Sequence, residues 1–197
     1  MKADIHRLIE LQRLLLCFSQ VDRRTHRQHA GEFIHENDTE HSYNLAMSAW
    51  FLAQWFPELN KDLLIQYSLV HDLVEIHAGD TYIYGTEAEL SSKEQREADA
   101  LVKLESEWND FKDMNETIHA YEHRLDAESK FVYALDKIMP IMLIYIHDGY
   151  TWEKEGVTVD MLHKAKIEKV KVSPEVQPYF EQLHELLLSR PDLIKPI

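Results

Sequence analysis

The segment from Leu63 to Ile76 is the stretch that most limits what this chain can fold into. Leu63, Leu64, Ile65, Tyr67, Leu69, Val70, Leu73, Val74 and Ile76 leave a helix built from it apolar nearly all round, so it must be buried. Yet it carries His71, Asp72 and Glu75, with Gly79 and Asp80 just beyond. A carboxylate and an imidazole buried side by side are costly unless something replaces their lost hydration. A divalent cation satisfies both groups at once, so the run reads first as part of a metal site.

In an α-helix His71 and Glu75 share a face, and Asp72 lies about 100° round the axis from His71. One helix can thus offer two ligands and a neighbouring acid, but not a full coordination shell. Matching chemistry occurs in two other places. His41 lies one turn before Leu45 on the stripe Leu45, Ala49, Leu52 and Phe56, behind the cap-like Asn37-Asp38-Thr39. Asp136 is the only acid in the apolar run 131–144, and Pro140, four residues on, has no N–H to return to its carbonyl and is expected to bend the helix there. A lone core histidine is more often a hydrogen-bonded structural residue than a ligand. Three apolar helices that each carry a buried acid or imidazole shift that balance, because each group would otherwise need its own partner. Two histidine nitrogens and two carboxylates, with water completing the shell, suit Mn, Fe, Co, Ni or Zn better than Ca or Mg.

Helical spacing dominates the remainder. Leu8, Leu11, Leu15 and Phe18, then Ala98, Leu101, Val102 and Trp108, then Val176, Tyr179, Phe180, Leu183 and Leu187 each mark a stripe, while period-two alternation is almost absent. Ser91 and Glu94 are spaced as a capping box, and Ser173-Pro174 as a cap and first turn. The expected fold is all-α. With 5 glycines and 6 prolines in 197 residues nothing resembles a linker, which favours one domain over 1–197. A single cysteine, Cys17, excludes an internal disulfide; it is expected to pack as a small hydrophobe in a reducing compartment. The N-terminus lacks the apolar centre of a signal peptide, and the longest apolar run is too short and too charged to span a bilayer. A cytoplasmic location without a membrane follows as the expectation.

A formal charge of −14 argues against nucleic acid as a partner, since polyanion binding needs many phosphates neutralised. One phosphate needs only a local positive pocket, and Arg23, Arg24 and Arg27 with a metal could form one. Without the metal motif nearby, that basic cluster would read as a solvated turn. His119 and His123 are four apart but flanked by Glu116, Tyr121, Glu122 and Arg124, the pattern of a half-exposed helix face. His77 is expected to meet terminal carbonyls at a helix end. Tyr82 and Tyr84, after Asp80, could line a nucleobase pocket or simply pack.

His41, His71-Asp72 and Asp136 have the order and approximate spacing of an H…HD…D motif, and in this the chain resembles the HD-domain metal-dependent phosphohydrolases. The likeness extends through 36–42, 71–81 and 128–131 leading into 135–137, which resemble the branch that includes the 5′-deoxynucleotidases. It covers residues 5 to 150, with 152–158 also similar. It implies metal ligands at His41, His71, Asp72 and Asp136, and catalytic acids at Glu75 and Asp80. It further implies an upstream arginine on the substrate phosphate. Arg24 is the best-placed match, Arg23 and Arg27 are the alternatives, and Thr25 stands where some nucleotidases have an aromatic residue. His77 departs from the aspartate of related sequences.

The resemblance implies a helical HD domain, with a metal-site core over 30–150 and C-terminal helices over 158–190 packed on it. One divalent transition metal would polarise the phosphoryl group and activate a water, while Glu75 does general acid/base work and Asp80 orients the water or touches the sugar. Glu40 is a candidate acceptor for a ligating histidine. The expected substrates are small nucleotide monoesters, namely 5′-(deoxy)nucleoside monophosphates. A homodimer is left open, as are two other readings: a non-catalytic nucleotide-sensing module, and a binuclear phosphodiesterase or oxygenase using His119 and His123.

Overall fold

The computed structural model of the protein describes residues 4–195. The chain opens with α1 (Ile5–Phe18), started by Asp4, whose side chain accepts the Arg7 N–H. An antiparallel hairpin follows, β1 (Asp22–His29) and β2 (Glu32–Asn37). The other elements are helices: α2 (Asp38–Leu52), α3 (Lys61–Val70), the short α4 (Glu75–Ala78), α5 (Glu87–Glu107), α6 (Lys112–Glu122), α7 (Ala127–Ile146), α8 (Tyr150–Glu155), α9 (Val159–Val170) and α10 (Gln177–Leu188). The all-α expectation holds, with the hairpin as the addition. Its turn is Ala30-Gly31 at φ +50° and +87°, and His29 pairs with Glu32 across it. Two residues with positive φ give the twist that a two-residue hairpin needs. The strands are almost entirely polar, so hydrophobic period could not reveal them.

Local chemistry explains most helix starts. Asn37 and Glu40 form a capping box for α2, Asn60 accepts from Asp62 and Leu63 to start α3, and Asp126 caps α7. The expected box at Ser91 and Glu94 lies inside a helix instead. The true box is one and a half turns earlier, at Thr86 and Glu89, and Ser91 Oγ donates to the Ala88 carbonyl. Ser173-Pro174 likewise opens a turn before α10 rather than the helix itself, which begins at Gln177 with Pro178 in its first turn.

Two apolar clusters hold the helices. The larger centres on α7, with Phe131, Val132, Leu135, Ile138 and Ile141 packed against Leu45, Leu64, Val170 and Phe180. The smaller gathers Leu14, Phe18, Leu73, Val74, Ala100, Leu104, Trp108, Met114 and Ile118. Here the expected stripes are partly corrected. On α1 it is Leu14 and Phe18 that are buried, while Leu8, Leu15 and Cys17 are exposed; on α5 Ala100 and Leu104 are buried and Ala98 and Val102 exposed. Leu11 of α1 and Leu101 of α5, half-buried, pack against the small cluster beside these residues, as the stripes predict. Between α7 and α8, Gly149 is fixed by geometry: its φ is +75°, and a Cβ there would lie 2.1 Å from the Leu193 carbonyl oxygen.

The expected continuous helix over 63–76 is also corrected. α3 stops at Val70, and residues 71–74 form tighter turns in which Leu73 N–H donates to the Val70 carbonyl (3.1 Å) and Glu75 N–H to that of Asp72 (2.9 Å). Leu73 and Val74 point into the small cluster while Tyr67, on α3, packs in the large one. The segment bridges two cores, and i→i−3 winding lets it serve both.

Candidate metal centre

The end of α3, the start of α2 and the middle of α7 bring His41, His71, Asp72 and Asp136 together, with one ligand-type atom from each lying within 4.8 Å of the others. His41, His71 and Asp136 are buried. His71 Nδ1–H donates to the Ser68 carbonyl (2.9 Å), which fixes the tautomer and leaves Nε2 as a lone pair. That nitrogen is buried without a hydrogen-bond partner, 2.8 Å from Asp72 Oδ2 and 3.9 Å from Asp136 Oδ1. Facing two carboxylate oxygens, this nitrogen needs a positive charge at that point, which either a proton on the ring or a bound cation supplies. The donor set, two imidazole nitrogens and two carboxylates, fits a divalent transition metal.

His41 Nε2 is 2.9 Å from Asp136 Oδ1, and its Nδ1 is 3.6 Å from Glu36 Oε2. The carboxylate facing the far side of this histidine is therefore Glu36, just beyond hydrogen-bond reach and with Oε2 otherwise unpartnered, not the expected Glu40. Glu40 is committed elsewhere, to the Arg27 guanidinium and to the α2 capping box. Glu36 was hidden from sequence reasoning because it lies on the unforeseen strand β2. Burial pushes the Asp72 carboxyl up, but His71 and Arg23 more than offset this and hold it well below the usual range. Asp136 is likewise held down against its burial, by Lys137 and His41.

The tight turn sends Glu75 away from the His71 face. It joins Asp38 and Asp72 in a second convergent group, and its Oε2 is buried with no partner. Burial, then Asp72 and Asp38, push the Glu75 carboxyl well up; burial and Asp72 raise Asp38 to about 6 against the pull of Arg23. Asp80 lines the same cavity, half-buried, and is also raised, by burial opposed by Arg23.

Of the three arginines, Arg23 is the one brought against the cluster, where Nη1 donates to Asp72 Oδ2 (2.6 Å) and Asp38 Oδ1 (2.8 Å). Arg24, the neighbour on the opposite strand face, is exposed at the cavity wall with its guanidinium 5.8 Å from the Tyr82 ring. Thr25 is buried and lines the cavity. Tyr82 and Tyr84 line it too, edge to face at 5.5 Å. His77 turns away from the site onto Glu107 (3.0 Å) rather than onto helix-end carbonyls. His119 and His123 are exposed and stacked on each other at 4.2 Å.

A family model for the HD domain matches residues 19–177, which include all four ligand-type residues. The chain belongs to the HD-domain family. Among individual relatives, this HD protein is 32% identical over 109 residues to the 5′-deoxynucleotidase HDDC2 of Xenopus laevis, covering 54% of this chain and 53% of that one. The corresponding protein of Bos taurus is 31% identical over 109 residues, covering 54% and 52%. The match thus spans about half the length of these relatives. A crystal structure from Magnetospirillum magnetotacticum MS-1, described as a predicted metal-dependent phosphohydrolase, superposes with a TM-score of 0.78 at 25% identity over 98% of this chain and 100% of that one. Among the described residues, no helix is long and apolar enough to cross a membrane.

Proposed function

We propose that this HD protein is a metal-dependent phosphohydrolase that releases phosphate from small nucleotide monoesters, with 5′-nucleoside monophosphates, deoxyribo forms first, as its substrates. The observation that carries the reading is the orphaned His71 Nε2 facing Asp72 and Asp136 at the floor of a cavity that also holds Arg23. The names of the two partial relatives support the substrate class. When bound by His41, His71, Asp72 and Asp136, one divalent ion (Mn, Fe, Co, Ni or Zn) supplies positive charge that polarises the phosphoryl oxygens and eases ionisation of the attacking water.

The chain's own groups do the rest. Arg23, with Arg24 nearer the opening, holds phosphate oxygens through charge-assisted hydrogen bonds. Glu75, buried beside Asp72 but outside the ligand quartet, moves a proton between the water and the departing sugar oxygen. Asp80 orients the water or the sugar from the loop after α4. Water's oxygen bonds to phosphorus, the ester bond to the sugar breaks, and the sugar oxygen leaves as a hydroxyl. Tyr82 and Tyr84 offer the nucleobase two ring faces. The test is a metal-supplemented screen of ribo- and deoxyribonucleoside monophosphates, triphosphates and cyclic diesters with phosphate release as the readout. A clear preference for cyclic diesters or triphosphates would overturn this reading while leaving the metal centre in place.

A binuclear reading has one observation in its favour, the convergence of Asp38, Asp72 and Glu75 beside the first quartet. It would place a second ion through the shared Asp72, not at His119 and His123. Metal content of the purified protein decides: one tightly held ion per chain supports the mononuclear reading, and two support the binuclear one.

A further inference from the structure

The cavity is larger than the ligand cluster requires, at about 480 Å³, and its far wall comes from α9. Lys166 and Lys169, three apart and so on one face of that helix, both line it, beside Lys137 of α7. Two cavity lysines are neutralised locally: Lys137 pairs with Asp136, and Lys93 with Glu97. The other acids lining the cavity are Asp72, Glu75 and Asp80 of the ligand cluster and its surroundings, and Glu94 and Glu122 of α5 and α6, none of them on α9. Among the described residues, neither Lys166 nor Lys169 has a carboxylate within 4.0 Å or a hydrogen-bond acceptor. Lys166 is only 9% exposed. Its stem is packed and its ammonium opens on the cavity, where two neighbouring lysines without a counter-ion are disfavoured until an anion joins them.

Burial lowers the Lys166 ammonium to about 7, Lys137 adds to this, and Asp136 opposes it. Lys169 is lowered too, by burial and by Lys137 and Lys93. These two lysines thus sit close enough to feel both the ligand cluster and each other. An anion entering this end of the cavity would relieve all of these repulsions together.

We propose that Lys166 and Lys169 form a second anion subsite, so that the preferred substrate is a nucleotide carrying a second phosphate group. One phosphate is presented to the ligand cluster for hydrolysis, and the other is held on α9 and left intact. This rests on the phosphohydrolase reading above: it keeps the hydrolysis of one phosphate ester and replaces the simple nucleoside monophosphate by a nucleotide with a second phosphate as the preferred substrate. The lysines recognise phosphate as such, which a free phosphate ion could also provide.

The test uses the full chain loaded with metal and compares adenosine 5′-monophosphate, adenosine 3′,5′-bisphosphate and adenosine 5′-diphosphate. Binding of each, and of inorganic phosphate, is followed by calorimetry in the Glu75→Gln background. The two-phosphate ligands should bind about tenfold to a hundredfold more tightly than the monophosphate, the range of one charge-assisted contact. Lys166→Met and, separately, the less buried Lys169→Met should erase that ratio. Turnover of the monophosphate with no advantage for a second phosphate in any variant would overturn the subsite and leave the nucleotidase reading standing. Lysine-dependent binding of the bisphosphate without hydrolysis of any nucleotide would do the reverse. Lysine-dependent binding of inorganic phosphate alone, with no gain for the bisphosphate, would also overturn the second-phosphate assignment.

Discussion

Lys166→Met should stabilise the fold, by an amount that depends on pH in a specified direction. In the unfolded chain this lysine ionises near 10.5, whereas burial brings it to about 7 in the folded state. At 1.36 kcal/mol for each tenfold change in proton affinity, that separation gives an upper value of about 5 kcal/mol at and below pH 7. The cavity gives the ammonium some access to water, so roughly half of that, about 2–3 kcal/mol, is expected. For a domain of this size, 1 kcal/mol moves Tm by about 2–4 °C, so the variant should melt about 4–12 °C higher near pH 6.5. The sign follows from proton counting. Between pH 7 and 10.5 the unfolded chain binds a proton here that the folded chain does not, so wild-type stability rises with pH over that window. The wild-type deficit is fully present below pH 7 and fades as pH rises toward 10.5. Melting wild type and variant in parallel at pH 6.5, 8 and 9.5, without phosphate, isolates this one group. Equal melting at all three pH values, or a variant less stable at pH 6.5, would show that the ammonium is already compensated and would refute the reasoning.

Four further outcomes follow from the site and its support. Asp136→Ala should purify with little metal, because removing one of two anionic ligands leaves the shell too neutral, and a full complement by elemental analysis would remove it from the ligand set. Glu75→Gln keeps the shape but cannot exchange a proton near neutral pH, so turnover should fall about 10²–10⁴-fold with metal content unchanged. Arg23→Ala should raise KM for the nucleotide more than Arg24→Ala does, each within about 1.5–3 kcal/mol for a charge-assisted contact, and the opposite order would return the phosphate to Arg24. Gly149→Ala should destabilise the protein by at least about 1–2 kcal/mol from the left-handed backbone alone, with the clash at the Leu193 carbonyl added; an unchanged urea midpoint would contradict that geometry.

Legibility in the sequence tracked how far each signal depends on burial. His41, Asp136 and the apolar stripes of α2, α7 and α10 could be read because an acid or imidazole inside an apolar period is conspicuous. The hairpin could not be read by hydrophobic period, since β1 is Asp-Arg-Arg-Thr-His-Arg-Gln-His. Missing it also hid Glu36 and the contact of Arg23 with Asp38 and Asp72, because adjacent strand residues face opposite sides. The helix assumed through His71 and Glu75 failed for another reason. Composition there is apolar enough for either winding, and tertiary packing of Leu73 and Val74 against the small cluster chose the tighter one.

That winding separates two kinds of acid that a regular helix would have merged. With 3.6 residues per turn, His71 and Glu75 would face one cation together. With the tighter turns, Asp72 alone is shared, His71 and Asp136 lie on one side of it, and Asp38 and Glu75 lie on the other. The cationic side chains are distributed unevenly across this line. Lys137 and the imidazoles keep Asp136 ionised, and His71 and Arg23 keep Asp72 ionised, so the side of the candidate ligands stays anionic. Arg23 reaches Asp38 as well, but burial and Asp72 prevail there, and Glu75 has no partner at Oε2. One side of Asp72 is therefore suited to hold a cation and the other to hold a proton. Pairs of acids driven apart in this way are how a single fold divides ligand and acid/base duties between chemically identical groups.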